Sequence, residues 1–176
     1  MLIWSSNIII PEDVKSDILD MIENEHTQKD RFYTSYYKGG DKFTDILVPY
    51  YGTVIKRMMM DLGLHSRCRK YGFNVWTQMY NSETTTHLPH EHFTGGEVIS
   101  FNHIIDSSSE KCFYFTDDHG QKIYPINQKD GDIFAWPPWL MHGVDKVEEP
   151  NTNRLVVAGN VWLEEYENCE GDIIKL

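Results

Sequence analysis

Long apolar runs and paired cysteines are missing from this sequence. No apolar run approaches the roughly 18 residues that a membrane-spanning helix needs. The first residues, Met1 to Trp4, lack the basic segment and the long apolar core of a secretory signal peptide. The cysteines Cys68, Cys112 and Cys169 are odd in number and form no CxxC pair. We therefore expect reduced thiols in a cytoplasmic protein, with no disulfide framework and no membrane span.

Basic residues are also scarce. Lysine and arginine together number 16 against 27 aspartates and glutamates, which gives a net charge of -11. Such a chain repels phosphate backbones and anionic lipid surfaces, so nucleic acid and membranes are not expected partners. The hydrophobic content of 40%, the charged content of 24% and the length of 176 residues suit one globular domain. We expect a single domain over 1–176, with monomer and homodimer both left open.

The first part of the chain, 1–69, carries helical patterns. Pro11 followed by two acids predicts a helix start, because the acids lie near the positive end of the helix dipole. The apolar residues that follow at helical spacing are Val14, Ile18, Leu19 and Ile22. A second helix is predicted over 43–64, with Pro49 kinking or delaying it. The β-branched run at 8–10 predicts a short strand before the first helix.

From about residue 70 onward the pattern changes to strands separated by Gly, Asp, Ser and Pro clusters. The predicted strands cover 71–81, 98–105, 111–115, 121–126, 132–136 and 155–163. Short strands at this spacing are typical of a sandwich or an open barrel. With the helices covering one sheet, the expected fold is α+β and mainly β. The acidic segment 164–176 is expected to be a solvated tail.

Three histidines form the most informative pattern. His90 and His92 are separated by a single residue, and His142 follows a run rich in tryptophan and proline. Side chains alternate between the faces of a strand, so the first two point to one side if the segment is extended. A third histidine from a distant strand can complete a cage that holds a divalent transition metal and leaves positions open for chemistry. The alternative is a polar surface loop whose histidines titrate near neutral pH, and His87, two positions before Pro89, fits that alternative best.

Five segments follow one another in order between residues 70 and 163. They are Trp76-Thr77-Gln78-Met79-Tyr80, His90-Glu91-His92, Ser100, the stretch from Gly131 to Val144, and the stretch from Arg154 to Asn160. Together they resemble the 2-oxoglutarate- and Fe(II)-dependent oxygenases, in particular a branch of small oxygenases from bacteria and phages. The resemblance implies a double-stranded β-helix, a jelly-roll of cupin type with helices packed on its larger sheet. It also implies Fe(II), with 2-oxoglutarate and O2 as cosubstrates, and hydroxylation of a small molecule or a protein side chain.

The resemblance implies that His90 and His142 are the two histidine ligands of the metal. His92 stands where most members of the family carry an aspartate or a glutamate. Losing that negative charge should lower the affinity for Fe(II) and change the metal selectivity of the site, since imidazole binds Zn, Cu, Ni and Fe alike. Glu91 is an alternative carboxylate ligand, although alternation places it on the face opposite His90. A water or a more distant acid is a further alternative, the acids being Glu97 and Asp117.

The resemblance assigns Arg154 to the distal carboxylate of 2-oxoglutarate, and its planar guanidinium suits a carboxylate. Strand alternation predicts two faces around this residue. The interior face would carry Arg154, Val156, Ala158 and Asn160, and the face under the helices would carry Leu155, Val157 and Val161. Further candidates for the cosubstrate site are Tyr80, Ser100 and Asn102. Trp136 and Trp139 are predicted to wall the substrate entrance.

Two other functions fit the same residues. A cupin-type dioxygenase or isomerase uses a three-histidine metal site without 2-oxoglutarate. His92 favours it, whereas Arg154 and the lack of a glycine-rich cupin box around the histidines count against it. A catalytically inactive binding or structural module on the same fold is the other alternative.

Overall fold

The computed structural model describes residues 2–25, 27–29, 32–36, 41–84, 86–107, 111–167 and 170–175. Two helices lie in its first part, α1 (Glu12–Glu25) and α2 (Asp41–Asp61). The helix α1 starts directly after Pro11 and carries two acids in its first turn, as predicted. Within the described residues, no helix is both long enough and apolar enough to cross a bilayer.

The end of α2 is set by a glycine. Gly63 has a φ of 70°, and its N–H donates to the Met60 carbonyl at 3.0 Å. The Leu64 N–H reaches back to the Met59 carbonyl at 2.9 Å. These two bonds form a Schellman motif, which satisfies carbonyls that the last helical turn leaves open. The helix therefore ends earlier than predicted, and it already runs before Pro49, so the predicted delay at that proline is wrong.

The strands alternate with turns through the rest of the chain. They are β1 (Trp4–Asn7), β2 (Thr27–Lys29), β3 (Phe32–Thr34), β4 (Cys68–Asn81), β5 (His87–His90), β6 (Glu97–Asp106), β7 (Phe113–Thr116), β8 (Lys122–Ile123), β9 (Asp132–Trp136), β10 (His142–Val144), β11 (Asn153–Glu167) and β12 (Ile173–Lys175). In the described residues one sheet has eight strands, in the order β1-β9-β6-β11-β4-β3-β2 with β12 beside β11. A smaller sheet has four strands, in the order β5-β10-β7-β8. The pairings within both sheets are antiparallel.

Two apolar cores lie on opposite faces of the large sheet. One is shared with the helices and contains Leu155, Val157 and Val161 of β11 beside Ile18 and Leu47. The other lies between the two sheets. It contains Val156 and Tyr80 from the large sheet and Phe113, Phe115 and Val144 from the small one. The two faces predicted for β11 are confirmed, since its odd-numbered apolar residues pack under the helices.

Two predictions about the ends of the chain are wrong. The run 8–10 is not a strand, because the first strand is β1, which pairs with β9. The Ile8 N–H still donates to the Gly131 carbonyl at 2.8 Å, and the chain then turns toward Pro11 and α1. The segment beyond residue 163 is exposed over 170–175, but it is more than a solvated tail, because β12 pairs with the last residues of β11. Cys169 lies outside the described residues.

Candidate metal centre

The three predicted histidines come together at the mouth of the two sheets. His90 on β5 is the direct cross-strand partner of His142 on β10. His92 lies just beyond β5, and its backbone N–H is held by the Pro138 carbonyl at 2.9 Å. One ring nitrogen from each of the three histidines lies within 4.8 Å of the other two. Residues far apart in sequence thus present three imidazoles to one point.

Each of these imidazoles is oriented through its Nδ1 atom. Nδ1 of His90 lies 3.0 Å from the Leu88 carbonyl oxygen, and Nδ1 of His142 lies 2.9 Å from the Leu140 carbonyl oxygen. A carbonyl oxygen only accepts hydrogen bonds, so both rings carry their proton on Nδ1. The neutral rings therefore turn the lone pair of Nε2 inward, as the histidine ligands of metals do when a polar group holds the other nitrogen.

His92 is oriented by a side chain instead of a carbonyl of the main chain. Its Nδ1 lies 2.8 Å from Oδ1 of Asn160, which also accepts a hydrogen bond from the Ser100 hydroxyl at 2.8 Å. The Asn160 N–H is itself bonded to Oδ1 of Asn74 at 3.1 Å. The ring of His92 is thus fixed by a chain of polar groups on β11, β6 and β4. Sequence reasoning placed Asn160 on the interior face of β11 but gave it no role.

The inward nitrogens fit a bound cation. Nε2 of His90 lies 3.2 Å from Nε2 of His92, which brings two lone pairs face to face once both protons are on Nδ1. Burial lowers the pKa of His92 to about 4 and that of His142 well below its ordinary value, so the rings are neutral at neutral pH. Three neutral imidazole nitrogens with open positions are a donor set suited to a divalent transition metal.

The alternative carboxylate ligands are engaged elsewhere or lie outside the group. Among the described residues no aspartate or glutamate joins the three histidines. Partial burial acts to raise the pKa of Glu97, but hydrogen bonds from the Thr94 hydroxyl and from N–H groups of its turn outweigh it and lower the pKa to about 2. The Asp117 carboxylate accepts hydrogen bonds from the backbone N–H groups of His119 and Gln121. The candidate ligands of a metal at this site are therefore the three histidines alone, among the residues that the structure describes.

His87 lies inside the site, so the expectation of a surface histidine is wrong. Val144 pairs with His87 and His142 with His90, so β5 uses one residue more than β10 between these two pairs. This β-bulge at Leu88 and Pro89 turns His87 to the same side as His90, and their rings stack at 4.2 Å. Burial lowers the pKa of His87 to about 3. Pro89 cannot donate to the ladder, which is a sequence signal for a bulge.

A cleft of about 250 Å³ opens beside the histidines. Its lining comprises Phe32, Thr34, Tyr36, Asn74, Trp76, Gln78, His87, His90, Glu91, His92, Thr94, Glu97 and Asn160. A narrow extension of about 20 Å³ continues past the histidines to His142, Asn102 and Trp136. Three buried polar atoms around this cleft lack a hydrogen-bond partner within the described part of the chain. They are Nε1 of Trp76, Nε1 of Trp136 and Oδ1 of Asn102. Unpartnered buried polar atoms indicate a missing polar partner in a cleft.

Arg154 is fully buried on β11, directly opposite Tyr80 of β4. Burial lowers the pKa of its guanidinium, which nevertheless stays charged in proteins. Its Nη2 donates to Oε1 of Gln128 at 3.0 Å. Gln128 is itself pinned, because Oε1 accepts the Phe113 N–H at 2.9 Å and its amide donates to the Phe113 carbonyl at 2.7 Å. Sequence reasoning missed Gln128, which lies in a loop without any periodic pattern.

The remaining candidates occupy different depths. The Tyr80 hydroxyl donates to Oε1 of Gln78 at 3.1 Å and also lies 3.1 Å from Nδ1 of His87. Ser100 reaches the histidines only through Asn160. Trp136 is buried against His142 at a ring distance of 4.9 Å, so it lies at the inner end of the cleft and not at the entrance. Trp139 is 57% exposed and meets Phe93 edge-on at 6.3 Å.

Comparison with known proteins shows the fold. No protein-family profile matches the sequence. No curated protein matches it either. A Pseudomonas putida prolyl-4-hydroxylase superposes with a TM-score of 0.63 at 11% identity, over 91% of this chain and 91% of that one.

Two further solved structures resemble this chain to a similar degree. The epimerase SnoN of nogalamycin biosynthesis, described as non-heme and alpha-ketoglutarate-dependent, gives a TM-score of 0.64 at 10% identity, over 92% of this chain and 79% of that one. A Trichoplax adhaerens prolyl hydroxylase, bound to a peptide of hypoxia inducible factor, gives 0.61 at 10% identity, over 92% of this chain and 83% of that one. The predicted fold, a double-stranded β-helix with helices on its larger sheet, is confirmed.

Proposed function

We propose that the protein is a 2-oxoglutarate- and Fe(II)-dependent oxygenase of the hydroxylase type. The observation that carries the proposal is the orientation of His90, His92 and His142, each with Nδ1 on a polar oxygen atom and Nε2 turned inward. The fold supports it, because the solved structures of this shape include hydroxylases and an epimerase of that chemistry. Fe(II) with 2-oxoglutarate would supply oxidation by O2, in which one oxygen atom enters the substrate and the other enters succinate as CO2 leaves.

Different residues of the chain would bind the metal, the 2-oxoglutarate and the substrate. The three histidines would hold the metal and leave positions on it open. Arg154 would bind the distal carboxylate of 2-oxoglutarate, with the Tyr80 hydroxyl and Asn102 as further polar contacts. Ser100 would act through Asn160, Trp136 would close the inner end of the cleft, and Trp139 would lie at its rim. The substrate would be a small molecule or a protein side chain. The second of these is supported by the Trichoplax adhaerens prolyl hydroxylase of similar fold, whose structure is a complex with a peptide.

The role of Arg154 is tested with two oxo acids of equal length. One is 2-oxoglutarate, and the other is 2-oxopentanoate, which lacks the distal carboxylate. We expect the protein loaded with Fe(II) without O2 to prefer 2-oxoglutarate by about tenfold or more, because hydrogen bonds to charged groups contribute roughly 1.5–3 kcal/mol. Arg154→Lys keeps the charge but loses the planar fork, so most of the preference should disappear. Equal affinity of the unmodified protein for both acids would count against the proposal.

A second function is favoured by one specific observation. No carboxylate accompanies the three histidines within the described residues, which is the donor set of a cupin-type metalloenzyme that does not use 2-oxoglutarate. In that case metal binding would persist, while the preference for 2-oxoglutarate would be absent. The cytoplasmic location expected from the cysteines is part of the proposal in both cases.

A further inference from the structure

The cleft beside the histidines has an aromatic wall. The rings of Tyr36 and Trp76 meet edge-on with their centroids 5.0 Å apart, and Phe32 joins them in the lining. Trp76 is buried, so its ring is held in place by the sheet. Aromatic faces attract cations through the ring quadrupole, and the attraction grows when the cation is removed from water.

The fixed charges of the same lining are negative. Glu91 and Glu97 both line the cleft, and no lysine or arginine does so among the side chains that the structure describes. The Glu97 carboxylate is held in place by the Thr94 hydroxyl at 2.6 Å and by the Thr94 N–H at 3.0 Å. The whole chain carries a net charge of -11, which attracts cations toward such a cleft.

A third observation concerns a hydrogen-bond donor in the same wall. Trp76 lines the cleft, and its Nε1 atom, which is buried, has no hydrogen-bond partner within the described residues. A buried N–H of this kind calls for an acceptor, and the cleft is where a bound molecule can supply one. The ligand that fits all three observations therefore carries a positive charge and, beside it, an oxygen atom that accepts a hydrogen bond.

We propose that this cleft selects substrates that carry an ammonium or guanidinium group, with a carbonyl or hydroxyl oxygen near it. The proposal rests on the proposed function only in calling the bound molecule a substrate. It is also consistent with that function electrostatically. Three neutral histidines add no charge, and the charges of a divalent metal and the 2-oxoglutarate dianion cancel. The positive charge of Arg154 remains, and the two carboxylates of Glu91 and Glu97 outweigh it.

The test uses a pair of probes with the same shape. Choline carries a quaternary ammonium and a hydroxyl, and its neutral isostere has a carbon atom in place of the nitrogen. Binding of each probe to the protein without added metal is measured by saturation-transfer NMR. We expect choline to bind at least about fivefold more tightly, a factor within the range of cation–π attraction. Equal binding of the two probes, or no binding of choline, would overturn the proposal.

Variants locate the binding. Glu91 is exposed, so Glu91→Gln and Glu91→Lys should keep the fold, which a melting curve verifies. We expect Glu91→Gln to weaken choline binding severalfold, Glu91→Lys to abolish it, and neither to change binding of the neutral isostere. Asp17→Asn, an exposed charge change on α1, is the matched control and should leave both probes unaffected. If Asp17→Asn weakens choline binding as much as Glu91→Gln does, choline binding depends only on the net charge of the protein, and the proposal fails.

The outcome is separate from that of the proposed function. Choline binding is measured without metal or 2-oxoglutarate, and the choice between the oxo acids is measured without a substrate. Failure of the oxo acid test with success of the choline test would leave a cation-selective cleft in a protein of another activity. The reverse result would leave an oxygenase whose substrate is not cationic.

Discussion

Nδ1 of His92 lies 2.8 Å from Oδ1 of Asn160, and this contact replaces the main-chain carbonyls that orient His90 and His142. His92 stands past the end of β5, so its ring is fixed by the side chain of Asn160 on β11 and not by a carbonyl of its own segment. The position of the third nitrogen therefore depends on a residue far away in the sequence. Asn160 is accordingly as much a part of the candidate centre as the histidines are.

Removing the Asn160 side chain should weaken metal binding. We expect Asn160→Ala to raise the dissociation constant for Co(II) or Zn(II) by about 10–100-fold, because loss of a group that orients a ligand has effects of this size. Asn160→Asp should retain the contact and bind at least as tightly, since a carboxylate makes the imidazole a better donor. Competition with a chromophoric chelator measures both. Equal affinity of Asn160→Ala and the unmodified protein would show that His92 needs no support.

Replacing His92 by a carboxylate should change the choice of metal. His92→Asp introduces a negative charge and an oxygen ligand, which favours harder ions over those that prefer nitrogen. We expect the affinity ratio of Fe(II) to Zn(II) to increase, and Mn(II) to gain in the same direction. Parallel chelator competitions with the three ions under anaerobic conditions give the ratios. An unchanged ratio would mean that the third ligand does not contact the metal.

His87 should support the site through its ring and not as a ligand. It stacks on His90 at 4.2 Å, and its Nδ1 lies 3.1 Å from the Tyr80 hydroxyl. His87→Phe keeps a flat ring and should retain metal affinity within about threefold, whereas His87→Ala should lose about tenfold or more. The visible spectrum of bound Co(II) should be unaltered in His87→Phe. A large loss in both variants would instead identify His87 as a metal ligand.

The pH dependence of stability should reveal a second buried histidine, away from the candidate centre. His103 is fully buried between the Tyr51 hydroxyl, 2.8 Å from its Nδ1, and the Ile8 carbonyl, 2.7 Å from its Nε2. Burial lowers its pKa from 6.5 to about 4. Between these values the unfolded chain binds more protons, so the free energy of unfolding falls as the pH drops from 6.5 toward 4, by about 3 kcal/mol from this group.

A matched pair of variants separates this contribution from that of the other histidines. His103→Gln should be less stable at neutral pH, and its free energy of unfolding should depend less steeply on pH in this range. His65→Gln changes a histidine on an exposed turn and should follow the unmodified protein. Urea unfolding at a series of pH values supplies the slopes. Parallel slopes for His103→Gln and the unmodified protein would refute the assignment.

Sequence periodicity was sufficient to predict the helices and the regular strands of this protein. Alternation along residues 154–161 of β11 identified which side chains face the helices, because this stretch pairs with β4 residue for residue and keeps a period of two. The expectation of a surface position for His87 rested on Pro89 two residues later, but a bulge in β5 adds one residue and turns the His87 ring to the side of His90. Alternation placed His90 and His92 together correctly, although His92 lies beyond the strand and is positioned by Pro138 and Asn160. Gln128 could not be found, because its role depends on where a loop folds against Arg154.

The central claim, that three histidines form an iron site that accepts 2-oxoglutarate, is tested most directly by visible spectroscopy without O2. Fe(II) is added to the metal-free protein, followed by 2-oxoglutarate. We expect a weak charge-transfer band that appears only when both are present and that His90→Ala abolishes. A protein that binds Fe(II) but shows no band with saturating 2-oxoglutarate would contradict the claim and leave the three-histidine alternative.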